Sequence, residues 1–259
     1  MSAPSSGGPE LKGSGDSQAY WESSTPWTFK GEAATYEEKR EMRYSLQDYM
    51  TKDIPFKEFA GKRVLEIGSG GGIDSAEFAR NGAQVVSLDF TQTGTSTTAS
   101  LFHQAGLDPN PVQAHAGRLP FRDREFDCVY SFGVLHHIEQ IDPVIGEIAR
   151  VLKPGGRLVC MLYNRDSLLY AFSILFLHRD ESSSDQTLLN RYSERNLNCP
   201  YTKVYTKRDV MALLAGRFRN LKVSVRFNAI DVPGHRKVRL GIDDSLELGW
   251  HLLVDAERA

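Results

Sequence analysis

Apolar positions in this chain follow two periods, and the places where one gives way to the other mark out its elements. From residue 62 to 163, short unbroken apolar runs alternate with stretches that return to an apolar residue every three or four positions. Unbroken runs suit strands buried on both faces, and the longer period suits helices with one covered face. The pattern predicts strands at 62–67, 83–89, 111–115, 126–131 and 156–163, and helices at 73–81, 95–105 and 141–152. Strands alternating with helices imply an α/β architecture with a parallel sheet. Beyond Asn164 the chain predicts an apolar helix at 167–178, a polar stretch at 179–198, a helix at 207–216 and last strands at 220–228 and 247–254. Upstream, Thr35–Met50 repeats helically with Met42, Leu46 and Tyr49 on one side. Residues 1–18 are rich in Ser, Gly and Pro and are expected to be disordered. Residues 19–60 are expected to form an aromatic, helical cover, and 61–259 the core with an insertion at 164–206.

The first strand runs straight into glycines, as Val-Leu-Glu-Ile-Gly-Ser-Gly-Gly-Gly over residues 64–72. Glycine lets the backbone pass close to a ligand where a Cβ would clash. The second strand ends in Asp89, placed to accept hydrogen bonds from ribose hydroxyls. Together they point to a cofactor containing adenosine. A dinucleotide fingerprint would need a small residue at position 73, which is Ile73, and there is no P-loop. What stands is Glu66-x-Gly68-x-Gly70-x-Gly72.

That spacing resembles the first motif of the class I S-adenosylmethionine (SAM)-dependent methyltransferases. A carboxylate at Glu66 suits a cofactor that carries an ammonium group and no phosphate. Three further stretches resemble the same family in the same order: Arg118–Phe121 with Glu125–Val129, Ser131–Ile138, and Glu147–Gly156. The resemblance implies a Rossmann-like fold, with a seven-stranded and mostly parallel sheet, the last strand antiparallel, helices on both faces and an added N-terminal lid. It implies SAM as cofactor, held by Glu66, Gly68, Ser69, Gly70, Gly72, Asp89, Phe90, Ala116, Gly117, Ser131 and Phe132. One position departs: where the family often has an Asp at the adenine edge, this chain has His115. Adenine contact is therefore expected from the backbone of Ala116 and Gly117.

Charge and composition narrow the partners. A net charge of −2 without a basic run argues against a nucleic-acid surface. The longest apolar stretch, Leu168–Leu177, is too short to span a bilayer, and no signal peptide is evident. The three cysteines, Cys128, Cys160 and Cys199, read as reduced thiols of a cytoplasmic protein. No Cys/His spacing predicts a metal ligand. Tyr20, Trp21, Trp27, Phe29, Tyr36 and Tyr44 before the core, and the insertion from Tyr163 to Phe176, predict an apolar cover over a small lipophilic substrate. Exposed aromatics of this kind also predict a homo-oligomer through the N-terminal helix.

Candidate catalytic residues are His136 and His137, at the end of the fourth strand, with Tyr20 and Tyr201. The layout resembles bacterial methyltransferases of specialised metabolism. A subset of that group methylates a prenyl or terpenoid alkene and guides cyclisation, as in teleocidin-type pathways. Aromatic faces would then stabilise a carbocation. Two alternatives stay open: O- or N-methylation with a histidine base, quinone-type substrates included, and a SAM-binding cyclase or non-catalytic binding protein.

Overall fold

The computed structural model describes residues 14–25, 34–194, 198–232 and 236–259. A seven-stranded sheet forms the centre, built from β1 (Arg63–Ile67), β2 (Gln84–Asp89), β3 (Pro111–Gln113), β4 (Phe126–Phe132), β5 (Leu152–Tyr163), β6 (Phe218–Arg226) and β9 (His251–Arg258). Its order is β3-β2-β1-β4-β5-β9-β6. The first five strands are parallel. The last, β9, is antiparallel to both β5 and β6 and lies between them rather than at the edge. Strand order reverses between β1 and β4, which opens the crevice where ligands of open α/β sheets bind. β7 (Ala229–Val232) and β8 (Arg236–Arg239) form a separate hairpin.

Alternation on β1 divides the two layers. Val64 packs with Phe78 of α4 (Ile73–Arg80) and with Leu101 and Phe102 of α5 (Gln92–Gln104). Leu65 and Ile67 pack on the other face with Val144, Ile145 and Ile148 of α6 (Ile141–Val151), and with Val210 and Leu214 of α8 (Lys207–Leu214). Glu66 shares the face of Val64, so its carboxyl is buried beneath α4.

Four details depart from expectation. Helix α1 (Ser14–Ser24) takes in residues 14–18, which composition had assigned to a disordered tail; residues 1–13, Trp27 and Phe29 lie outside the described residues. Helix α2 (Tyr36–Leu46) does not bury the face of Met42 and Leu46, which are 46% and 43% exposed. It buries Tyr36, Arg43 and Tyr44 instead, because Arg43 meets a buried carboxylate described below. The apolar segment of the insertion is wound as a π-helix over Leu169–Leu177. The polar stretch after it contains α7 (Asp185–Tyr192), capped by Ser184 and anchored by Leu188 and Leu189. Among the described residues no helix is long and apolar enough to cross a membrane.

Candidate active site

The glycine loop is held from below by Asp89. The Gly70 N–H donates to Asp89 Oδ2 at 2.9 Å, and the Thr91 N–H and hydroxyl donate to Oδ1 at 2.9 and 2.7 Å. The aspartate therefore ties the loop to the tip of β2, and Oδ2, with one donor, keeps a lone pair for a further hydroxyl. Gly68, Gly70 and Gly72 all have φ between 50° and 78°, the left-handed region that side chains avoid. A Cβ on Gly68 would also strike Val134, and one on Gly72 would strike Thr98. Thr98 in turn hydrogen-bonds Ser69 Oγ at 3.0 Å and the Gly70 carbonyl at 3.2 Å. Gly94 was not singled out in sequence. Its Cβ would run into the Asp89 carboxylate, so the start of α5 must be bare at that point.

Glu66 differs from its sequence reading. Its carboxyl is buried and accepts from Ser75, which accepts from Ser87 at 2.7 Å. Burial, and then the nearby Asp74 carboxylate, hold its pKa well above the ordinary glutamate value. That shift favours the neutral acid at this position. Asp74, at the first turn of α4, is matched by Arg43 Nη2 at 2.8 Å and Nε at 3.2 Å, and by the hydroxyls of Tyr44 and Tyr130 at 3.1 and 2.9 Å. The same guanidinium lies 4.7 Å from the Phe132 ring. Sequence reasoning missed Arg43 and Asp74, because a buried ion pair leaves no trace in apolar periodicity.

Along the edge expected to meet adenine, the Gly117 N–H donates to His115 Nδ1 at 3.0 Å. That bond makes Nδ1 an acceptor, and burial lowers the His115 pKa, which keeps the ring neutral. The Gly117 N–H is thereby engaged within the chain. The Phe90 carbonyl accepts from Gln18 on α1 and from Gln113, each at 3.3 Å. The Ser131 hydroxyl donates to the Ile67 carbonyl at 2.9 Å, so it braces β4 against β1.

Helix α1 lies across this edge. The Glu22 carboxylate accepts from the Gln92 and Thr93 N–H groups at 3.0 and 2.9 Å, at the start of α5. One residue earlier, the Trp21 ring sits 4.9 Å from that of His137. Tyr20 meets Trp21 edge-on at 5.0 Å, and burial raises its pKa, helped by Cys199 and Glu194. One short helix therefore touches both the tip of β2 and the turn after β4.

At that turn, His136 is fully buried and stacks on Tyr163 at 3.7 Å, and Tyr163 stacks on Trp250 at 4.2 Å. His137 Nδ1 lies 3.0 Å from the Tyr201 carbonyl, which can only accept, so Nδ1 carries a proton. The Thr202 hydroxyl at 3.2 Å and Cys199 Sγ at 3.4 Å border the same nitrogen. Its Nε2 lies 3.4 Å from Glu194 Oε1, which also accepts from the Tyr163 hydroxyl at 2.6 Å. Burial works against charge on the His137 ring, but Cys199 and Glu194 outweigh it and push the pKa up to about 10. The ring is held in one orientation by the Tyr201 carbonyl, with Nε2 turned to Glu194. Tyr201 reaches His137 through its backbone carbonyl. Glu194, Trp250 and Cys199 had not been assigned to the site from sequence.

Sheet order, glycine loop and crevice define a class I, SAM-dependent methyltransferase domain, and residues 65–160 match the family described as a methyltransferase domain. A ubiquinone biosynthesis O-methyltransferase of Maricaulis maris (strain MCS10) is 32% identical over 120 residues, 46% of this chain and 47% of its own length. One from Stutzerimonas stutzeri (strain A1501) is 34% identical over 120 residues, 45% of this chain and 50% of its own length. The chain thus spans about half the length of the curated relatives it matches. Among solved structures, a protein from Pyrococcus horikoshii OT3 superposes with a TM-score of 0.60 at 17% identity, over 93% of this chain and 99% of its own. A [4+2]-cyclase does so with a TM-score of 0.51 at 18% identity, over 80% of this chain and 73% of its own. At those identities the likeness is one of fold.

Proposed function

We propose that this chain transfers the methyl group of SAM to a hydroxyl oxygen of a small lipophilic acceptor. The observation that carries the reading is a polar trio, His137, Glu194 and Tyr163, set in a wall of aromatic rings where β4 and β5 end. The rings suit an apolar body, and the Glu194 carboxylate is a proton acceptor for its hydroxyl. His137 Nε2 faces that carboxylate at 3.4 Å, and the Tyr163 hydroxyl donates to it. The sulfonium methyl is already electrophilic, so the remaining task is to align acceptor and methyl and exclude water. Helix α1, with Tyr20 and Trp21, covers the position where this would happen. The relatives named as O-methyltransferases support an oxygen acceptor.

A second reading is methylation of an alkene carbon in a prenyl or terpenoid chain, with cyclisation. The ring faces of Tyr20, Trp21 and Tyr163 favour it, since they would stabilise a carbocation without any base. One experiment separates the readings. The protein is incubated with methyl-deuterated SAM and two matched acceptors, a prenylated phenol and its hydroxyl-free analogue, and the label is located by mass spectrometry and NMR. The oxygen reading expects label on the phenol oxygen and a loss of about 100-fold or more in kcat for Glu194→Gln, with SAM affinity kept. Label on carbon in both acceptors selects the second reading. SAM binding with no label in any acceptor overturns both and points to a SAM-binding cyclase or binding protein.

A further inference from the structure

We infer that His136, His137 and Glu194 form a binding site for one divalent transition-metal ion of the zinc type at the turn after β4. One donor atom from each of the three residues lies within 4.8 Å of the other two. A zinc ion bound at about 2.0–2.2 Å from nitrogen and oxygen needs its donors roughly 3–4 Å apart, so small side-chain rotations close the site. Position 194 lies far from the histidine pair in the chain, so no local spacing announces the cluster.

The surroundings prepare each donor. The Nδ1 edge of His137 is occupied by the Tyr201 carbonyl, with Thr202 and Cys199 beside it. Metal-bound histidines characteristically give their other ring N–H to a carbonyl or carboxylate, which fixes the tautomer and aims the free nitrogen at the ion. Here that nitrogen is Nε2, and it faces Glu194 Oε1 at 3.4 Å. The Tyr163 hydroxyl steadies the carboxylate, and the Tyr163 ring steadies His136 by stacking. The cluster is also sheltered: His136 is fully buried, and the side chains of His137 and Glu194 are 5% and 19% exposed. That separates it from the acidic surface groups that gather without any ion.

The donor set selects the metal. Two imidazoles with one carboxylate suit zinc, iron, cobalt or manganese, whereas magnesium and calcium favour oxygen ligands. Three protein donors leave a fourth position open to water or to a hydroxyl of the acceptor, whose proton the ion would make easier to remove. The site is defined by metal affinity and stands whether or not methyl transfer occurs.

The test uses the full chain, stripped with a chelator and titrated with Zn2+ against a chromophoric competitor, with metal content read by mass spectrometry. Binding of one Zn2+ per chain is expected, together with the visible absorption of low-coordinate Co2+ when cobalt replaces it, and no competition from Mg2+. Glu194→Gln keeps the shape of the side chain and should weaken Zn2+ by about tenfold or more, with circular dichroism and SAM affinity unchanged. His136→Ala should do the same if it folds; if it does not, Glu194→Gln and His137→Gln carry the test. Wild-type chain without stoichiometric Zn2+, or Zn2+ binding unaffected by Glu194→Gln and His137→Gln, overturns the site and leaves a histidine–carboxylate ion pair only.

Discussion

The two sides of the crevice are built in opposite ways. The cofactor side comes from contiguous chain: β1, the glycine loop and α4 follow one another, and Asp89 closes the loop from the next strand. The proposed acceptor side has no such continuity. Trp21, His137, Tyr163, Glu194, Cys199 and Trp250 arrive from α1, the turn after β4, the end of β5, the insertion and the residue before β9. A local site tolerates change elsewhere, whereas an assembled one depends on every segment that delivers a residue. Helix α1 touches both, through Glu22 at α5 and Trp21 at His137.

The strongest challenge to this contrast lies at the one place where the cofactor side depends on a distant helix. Arg43→Met would leave the buried Asp74 carboxylate without its cation, and should cost about 3–5 kcal/mol in denaturant unfolding. Adding Asp74→Asn should restore much of it. If Arg43→Met alone is neutral, α2 is not anchored through this pair.

Next in size is the loop itself. Gly70→Val forces a branched side chain into the left-handed region and disturbs the amide that Asp89 holds. SAM affinity should fall about 100-fold with a native far-UV spectrum, as a strain of about 1–3 kcal/mol implies. Unchanged affinity by calorimetry in a folded variant would place the cofactor elsewhere.

Removing residues 1–33 tests the shared helix. It deletes α1 but spares α2, whose Arg43 is needed for folding. The core should stay folded, and SAM should leave about tenfold faster in stopped-flow, because Glu22 and Gln18 no longer close the edge. Unaltered release would mean that α1 serves only the acceptor side.

The smallest effect concerns Glu66 and pH. Its folded pKa lies well above its unfolded one, so the folded chain holds a proton that the unfolded chain gives up. Stability from this group is therefore greatest below the unfolded value and declines as pH rises toward the folded one. The melting temperature of wild type should drop more steeply than that of Glu66→Gln as pH rises above the ordinary glutamate value. If the SAM ammonium approaches Glu66, binding should release a proton, seen as buffer-dependent heat in wild type only. Parallel melting curves would show that the carboxyl is not held neutral.

Much of the cofactor side could be read from the chain. The strands, the left-handed glycines and the place of Asp89 follow from local patterns, although what Asp89 touches did not: its carboxylate first holds Gly70 and Thr91. The reading failed where charge does the packing. Met42 and Leu46 look like the inner face of α2, yet Arg43 lies inside because Asp74 and two tyrosine hydroxyls meet it. Composition likewise assigned residues 14–18 to a tail, but they belong to a helix that docks on α5 and on His137.

What the sequence determined by itself was the α/β alternation, the SAM-type glycine loop and the class of domain. Each rests on neighbours within a few positions, where backbone geometry and burial period leave one reading. Tertiary structure alone decided that His137 is clasped by Tyr201 and Glu194, that Tyr163 links Glu194 to the ring stack, and that α1 touches both halves. Those groups converge because β4 and β5 are adjacent strands ending on the same side of the sheet. Strand order is a property of the whole packed chain, and no local window contains it.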